Sequence, residues 1–267
     1  MSNKQTTADQ GAKNMAFSLA SIQNTHRQSP PRMLVQGVPG IGKSTFGSEL
    51  PNPVFIQAED GLDGIDAAAF PLVKSYEEVV DQLGVIHNED NPFKAVVIDT
   101  VDALERLIWK KVADDNQVES IESIGYGRGY VFALNYWQQL LGMLNALRNK
   151  GYMICLLCHT TVKKFQSPVV DSYDRYELAL HKHATALLIE WCDIVGFANY
   201  QVFTKNEDAG FNKTVKKAVG QGVRRLHLSE RPAFIAKNRY RLPDEIDFSW
   251  AALEAALQAT PEQTTEQ

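Results

Sequence analysis

The chain has no run of about 18 apolar residues, which excludes a helix crossing a membrane. Cysteine is scarce, three residues in 267, too few to staple a domain of this size. Positive charge is not in excess: 27 Lys and Arg face 32 Asp and Glu, a formal net charge of −5. A protein basic on every side is excluded, so any contact with nucleic acid must come from local patches. The first residues, MSNKQTTADQGAKN, lack the apolar core of a secretion signal. Residues 1–14 and 259–267 read as polar, disordered tails, and a cytoplasmic location is expected. No internal repeat and no second domain are visible, so 15–258 is expected to form one domain. With 44% apolar and 22% charged residues it can bury one sizeable α/β core.

The cysteines contain one false lead. Cys155-Leu-Leu-Cys158-His159 matches the C-x-x-C-H haem-attachment pattern. It lies in YMICLLCHT, an apolar run that reads as a central strand. A strand inside a sheet cannot present both thiols to one cofactor, so small apolar thiols are the reading here.

What the chain does contain is GVPGIGKST, whose first eight residues fit the phosphate-binding pattern G-x-x-x-x-G-K-[ST]. The candidate cradle is Gly37, Val38, Pro39, Gly40, Ile41, Gly42, Lys43, Ser44 and Thr45. Glycines let several backbone N–H groups face one anion. Lys43 is expected to reach the β/γ-phosphates of ATP, and the Ser44 hydroxyl to ligate Mg²⁺. An apolar strand-like MLVQ precedes the loop and a helix-forming STFGSEL follows it. In AVVIDT, four apolar residues deliver Asp99, a second candidate for the Mg²⁺ shell. Asp102 and Glu105 are alternative carboxylates, read more simply as a solvated helix start. On the strand-like VFIQAEDGLD, Glu59 is placed to orient an attacking water.

In order, the chain alternates strand and helix, as a parallel sheet covered on both faces does. Strands are expected at Met33–Gln36, in PVFIQAED, in FKAVVIDT and in YMICLLCHT. Helices are expected at Ala16–Ile22, after the phosphate loop, and at Ser75–Ile86, Leu104–Val112 and Tyr130–Arg148. Thr161–Leu180 is polar and reads as a long loop. A helix at His183–Trp191 precedes strand-like DIVGFANYQVF, VRRLHLS and PAFIAKN, with a Lys- and Gly-rich hairpin tip in NEDAGFNKTVKKAVGQG. Helix Phe248–Leu257 closes the domain.

QAEDGLD, AVVIDTVDAL and ICLLCHTTVKKF resemble, in the same order, the core of the RecA recombinases over roughly Arg32–Pro243. HTTVKKF, YDRYEL, LHKHATALLIEWCDIVGFANY and KNRYRLP are similar to the phage single-strand annealing ATPases of the Sak type, which have a RecA-like core. The resemblance implies an α/β P-loop NTPase fold: a mostly parallel sheet, helices on both faces, an antiparallel C-terminal extension. It implies a DNA-stimulated ATPase of phage-type recombination, cytoplasmic in a bacterial host cell. Its partners would be single-stranded DNA, further copies in a filament or ring, and a single-stranded DNA-binding protein. Glu59 would be the water-activating base. His159 would be the γ-phosphate sensor, where RecA carries glutamine. Lys237 and Arg239 fall near the RecA lysine pair that completes a neighbour's ATP site. Phe17-Ser18-Leu19-Ala20 has the F-x-x-A spacing of a recombinase self-association motif.

Loops at the carboxyl ends of parallel strands form the functional face of such sheets. Two carry candidate DNA contacts: Tyr126 and Arg128 in IGYGRGY, and Lys163 with Lys164 beside Phe165. Lys213, Lys216, Lys217, Arg224 and Arg225 form a further basic patch. Two other function classes share the nucleotide core: a hexameric helicase-like motor, and a nucleotide switch acting on a protein partner.

Overall fold

The computed structural model describes residues 29–167, 171–208 and 214–259. The tails, the Ala16–Ile22 helix with its F-x-x-A spacing, and Lys213 lie outside the described residues, as do the side chains of Lys216 and Lys217.

Five strands, apolar where they pair, build the parallel core: β1 (Arg32–Gly37), β2 (Pro53–Gln57), β4 (Ala95–Asp99), β5 (Met153–Phe165) and β7 (Ile194–Asp208). A two-residue β3 (Ala68–Ala69) extends it beyond β2. Their order in space is β7-β1-β5-β4-β2-β3. Beyond β7 lie antiparallel β8 (Thr214–His227) and β10 (Glu245–Asp247), and β9 (Lys237–Asn238) pairs with the first residues of β7. This is the expected mixed sheet, mostly parallel with an antiparallel C-terminal extension.

Period-two alternation sends neighbouring side chains to opposite faces, and both faces are apolar. On one, Leu34, Ile56, Val96, Ile98, Ile154 and Leu156 pack under α2 (Tyr76–Asn88), α3 (Val101–Asp115), α4 (Arg128–Asn149) and α5 (Lys182–Trp191). On the other, Met33, Val35, Phe55, Val97 and Leu157 pack under α1 (Lys43–Ser48) and α6 (Trp250–Ala259). Cys155 belongs to the second face and Cys158 to the first. Both thiols are fully buried and pushed up by that burial, so the C-x-x-C-H spacing is two core residues on opposite sides of a strand.

Helix starts follow their caps. The Ser75 hydroxyl accepts from Glu78 N–H at the head of α2, and Thr100 accepts from Ala103 N–H at the head of α3.

One expectation is overturned. Thr161–Leu180 is not a loop: β5 continues to Phe165 and pairs antiparallel with β6 (Tyr173–Leu178), Thr160 opposite Leu178 and Phe165 opposite Tyr173. The polar residues hide the strand because this part of β5 has left the core and needs no apolar run. Lys163 and Lys164 are therefore strand neighbours facing opposite ways, and do not act as one cation pair on a loop. Similarly, of PAFIAKN only Lys237–Asn238 is strand.

At the amino-terminal edge of the sheet, one buried carboxylate gathers three guanidinium groups. Asp193, just before β7, accepts from Arg32 Nη2 at 2.8 Å, Arg239 Nη1 at 3.1 Å and Arg148 Nη2 at 3.2 Å. Burial pushes its carboxyl up, but the Arg32 bonds outweigh that and hold it below the usual range. The contact ties together the starts of β1 and β7, the end of α4 and the residue after β9. Replacing Asp193 with alanine leaves three cations facing one another and should destabilise the chain by about 3 kcal/mol. Urea unfolding measures this, and Asp193→Asn should lose less.

Candidate nucleotide site

The phosphate loop leaves the end of β1, between β5 and β7. Gly40 (φ 75°) and Gly42 (φ 104°) take left-handed conformations that other residues resist. Lys43 is buried, and its Nζ donates to the carbonyls of Gly37 (3.1 Å) and Val38 (3.2 Å). Burial pulls its pKa down, with Asp99 and Asp102 opposing. An ammonium held among neutral carbonyls gains from an anion entering the loop.

Asp99 ends β4, which is one strand away from β1, with β5 between them. It nonetheless meets the loop: Ser44 Oγ donates to Asp99 Oδ2 at 2.6 Å. Burial pushes the Asp99 carboxyl up, against the Ser44 bond. A hydroxyl and a carboxylate converging on one point fit Mg²⁺, a hard cation taking oxygen ligands.

Next to this pair, β2, α3 and β5 bring Glu59, Asp102 and His159 together. Glu59 follows β2, with its backbone N–H on the Asp99 carbonyl at 3.1 Å. Its half-exposed carboxylate accepts from Thr100 Oγ1 at 3.0 Å and lies 3.7 Å from His159 Nδ1. His159 stands beside Gly37 in register and is gripped twice by Asp102. Its backbone N–H donates to Oδ1 at 2.9 Å, and Nδ1 lies 3.0 Å from Oδ2. Proton donation from Nδ1 leaves Nε2 available to the site. Burial raises the Asp102 carboxyl, but the bonds from His159 hold it below the usual range. Ligand-type atoms of Glu59, Asp102 and His159 all lie within 4.8 Å of one another. Both Asp102 oxygens accept bonds from His159.

Asp102 and Glu105 are thus not a solvated helix start. The first turns of α3 face β5 and the start of α5, which buries both. Glu105 is 2% exposed; its Oε2 accepts from His181 N–H at 2.9 Å, and its Oε1 has no partner among the described residues. Burial pushes its pKa up to about 7, with the His181 N–H opposing, Asp102 adding to the rise and Lys163 opposing it.

The remaining candidates divide. Tyr126 is fully exposed at φ 51°, between Gly125 (φ 63°) and Gly127 (φ 69°), and Arg128 opens α4 in the open. One turn into α4, Tyr130 stacks on His181 at 4.1 Å, and Lys163 Nζ lies 3.5 Å from the carbonyl of neighbouring Leu180. Lys164 is exposed on the hairpin's other side, beside Val162. Lys237 and Arg239 are not brought to the site. They lie at the opposite edge of the sheet: Lys237 Nζ donates to the carbonyls of Ile189, Glu190 and Cys192, and Arg239 to Asp193 and the Glu190 carbonyl. Within this chain both satisfy the carbonyl end of α5. One residue reaches the loop unannounced by its sequence position. Arg224 Nη1 donates to the Ile41 carbonyl at 3.1 Å.

The Glu105 environment makes a pH prediction. Its folded pKa of about 7 exceeds the ordinary 4.5, so between those values the folded chain keeps a proton the unfolded chain has released. Its contribution to stability therefore falls as pH rises through that window. Glu105→Gln keeps the acceptor for His181 N–H. It should match the parent near pH 4 and exceed it by up to about 3 kcal/mol at pH 8. Denaturation at the two pH values checks this.

Comparison with known proteins agrees with this geometry. Residues 29–240 match the family AAA_24, described as AAA domain. A curated relative is the SPbeta prophage-derived uncharacterized protein YorG of Bacillus subtilis (strain 168), 21% identical over 157 residues. The match covers 52% of this chain and 47% of YorG, so the chain spans about half that relative's length. Among solved structures, flagellar accessory protein FlaH from Methanocaldococcus jannaschii aligns with TM-score 0.35 and 10% identity, over 67% of this chain and 75% of FlaH. With the family match running from before β1 to beyond β9, the chain belongs to the AAA domain family of P-loop ATPases.

Proposed function

We propose that this ATPase binds single-stranded DNA and acts in phage-type recombination, by strand annealing or RecA-like pairing. The observation that carries the reading is the continuity of β5. One strand holds His159 beside the phosphate loop and, four residues on, Lys163 and Lys164 on an exposed hairpin. The stack of Tyr130 on His181, beside the Leu180 carbonyl that Lys163 reaches, draws the Tyr126–Arg128 turn toward that hairpin and favours a surface where cations meet phosphates and an aromatic ring meets bases. The prophage origin of YorG supports the phage setting.

In this reading ATP supplies the anhydride to be cleaved, and Mg²⁺ neutralises its charge. Lys43 binds the β/γ-phosphates, and Ser44 with Asp99 holds the cation. Glu59, fixed by the Thr100 hydroxyl, orients a water and takes its proton. His159, set by Asp102, presents Nε2 to the γ-phosphate position. Self-assembly into a filament or ring belongs to the same proposal. Lys237 and Arg239, engaged within the chain, are not asked to complete a neighbour's site.

The test is anisotropy of a labelled single strand titrated at several salt concentrations. Lys164→Ala, Lys163→Ala and Arg128→Ala should each weaken binding, and each lost phosphate contact should lower the slope of log K against log salt by about 0.7. ATP affinity without DNA should stay at the parental value. Parental DNA affinity and slope in all three variants would contradict the reading, as would a parent that binds ATP but no DNA. The second result would favour a nucleotide switch.

A further inference from the structure

Arg224 belongs to the basic patch read from the sequence, yet its side chain lies on the phosphate loop. Nη1 donates to the Ile41 carbonyl at 3.1 Å, and a Cβ at Gly42 would collide with that same nitrogen. Glycine at 42 thus serves two ends: it takes φ 104°, and it leaves room for a guanidinium against the loop backbone.

The arginine is also held firmly at its root. Its carbonyl accepts from Phe248 N–H at 3.2 Å, and the Phe248 ring stacks on Phe46 of α1 at 5.2 Å. Trp250 N–H donates to Glu49 Oε2 at 2.8 Å, closing the same face. Neighbouring Arg225 is paired with Asp247 at 2.5 Å. Among the described residues Arg224 has no carboxylate partner. Of five donors on its planar fork, the Ile41 carbonyl takes one.

Its side of the loop decides what it meets. Asp99, Glu59 and His159 mark the γ-phosphate side and come from β4, β2 and β5. Arg224 comes from β8, across β1 and β7 from that group. A nucleotide whose γ end lies among the carboxylates extends its nucleoside toward β7 and β8. We infer that Arg224 is a specificity residue for the nucleoside, its guanidinium plane lying against the base and its free donors facing base or sugar. The inference rests on the phosphate-loop assignment and is independent of DNA binding. Arginine suits the role because it stacks on aromatic faces and stays charged, which lysine matches only in charge.

The experiment is calorimetric binding of ATP, ADP and inorganic tripolyphosphate, each with Mg²⁺, to the parent, Arg224→Ala and Arg224→Lys. Tripolyphosphate fills the loop but has no nucleoside, so it reports loop integrity and folding in each variant. Losing a stacked guanidinium should weaken ATP and ADP by about tenfold. Tripolyphosphate affinity should stay within about twofold of the parent. Arg224→Lys keeps a charge and a donor for Ile41 but no plane, and should behave like Arg224→Ala. An equal loss for tripolyphosphate would reduce Arg224 to shaping the loop and overturn the inference. Unchanged ATP affinity in Arg224→Ala, or full recovery in Arg224→Lys, would overturn it as well. A parent that binds none of the three would sink the phosphate-loop assignment itself, and this inference with it.

Discussion

The site depends on β5 lying between β1 and β4. A parallel strand in that position must be apolar on both faces, and Ile154 to Cys158 are fully buried. Its first polar side chain, His159, then emerges at the height of Gly37, between the phosphate loop and the carboxylate that ends β4. Had β4 lain directly beside β1, no side chain of a third strand would stand between the loop and Asp99. The position alone is not enough, since a histidine at a strand end turns freely. Asp102 removes that freedom by accepting both the backbone N–H and the Nδ1 proton.

The two edges of the sheet handle charge differently. At the amino-terminal edge Asp193 is saturated by three arginines, and Lys237 and Arg239 close the carbonyl end of α5. Asp193, Lys237 and Arg239 all have partners there, as an architectural joint requires. At the carboxyl edge buried groups are left in need. Among the described residues Lys43 donates to neutral acceptors, Asp99 is pushed up by burial, and one Glu105 oxygen is without a partner. Unmet electrostatic need concentrated at one edge is what a site for a charged ligand looks like.

The phosphate loop and the core strands were legible in the sequence because both are written in local spacing. A glycine-lysine-serine pattern and an apolar run of four or five residues need no distant partner to be recognised. Asp99 was legible for the same reason. Asp102 was not, because its burial comes from His159, 57 residues away. The outer half of β5 was lost because Thr160, Thr161, Lys163 and Lys164 break the apolar run. The β-favouring Tyr173 and Tyr176 of YDRYEL, which pair with Phe165 and Val162, are the signal of the hairpin. In the sequence Arg224 is one member of a basic patch, since its contact with Ile41 spans 183 residues. Lys237 and Arg239 were placed by resemblance, and what occupies them is the α5 terminus that only the fold brings near.

The central claim is that the nucleotide's γ end and the hairpin are one unit, joined through His159 and held by Asp102. It is tested most directly by measuring single-strand affinity with ADP and with a non-hydrolysable ATP analogue, in the parent and in Asp102→Ala. In the parent the two nucleotides should give affinities differing by about fivefold or more. Asp102→Ala should bind both nucleotides and DNA while losing that difference. A parental difference in Asp102→Ala, or DNA binding by the parent that ignores the nucleotide, would contradict the account.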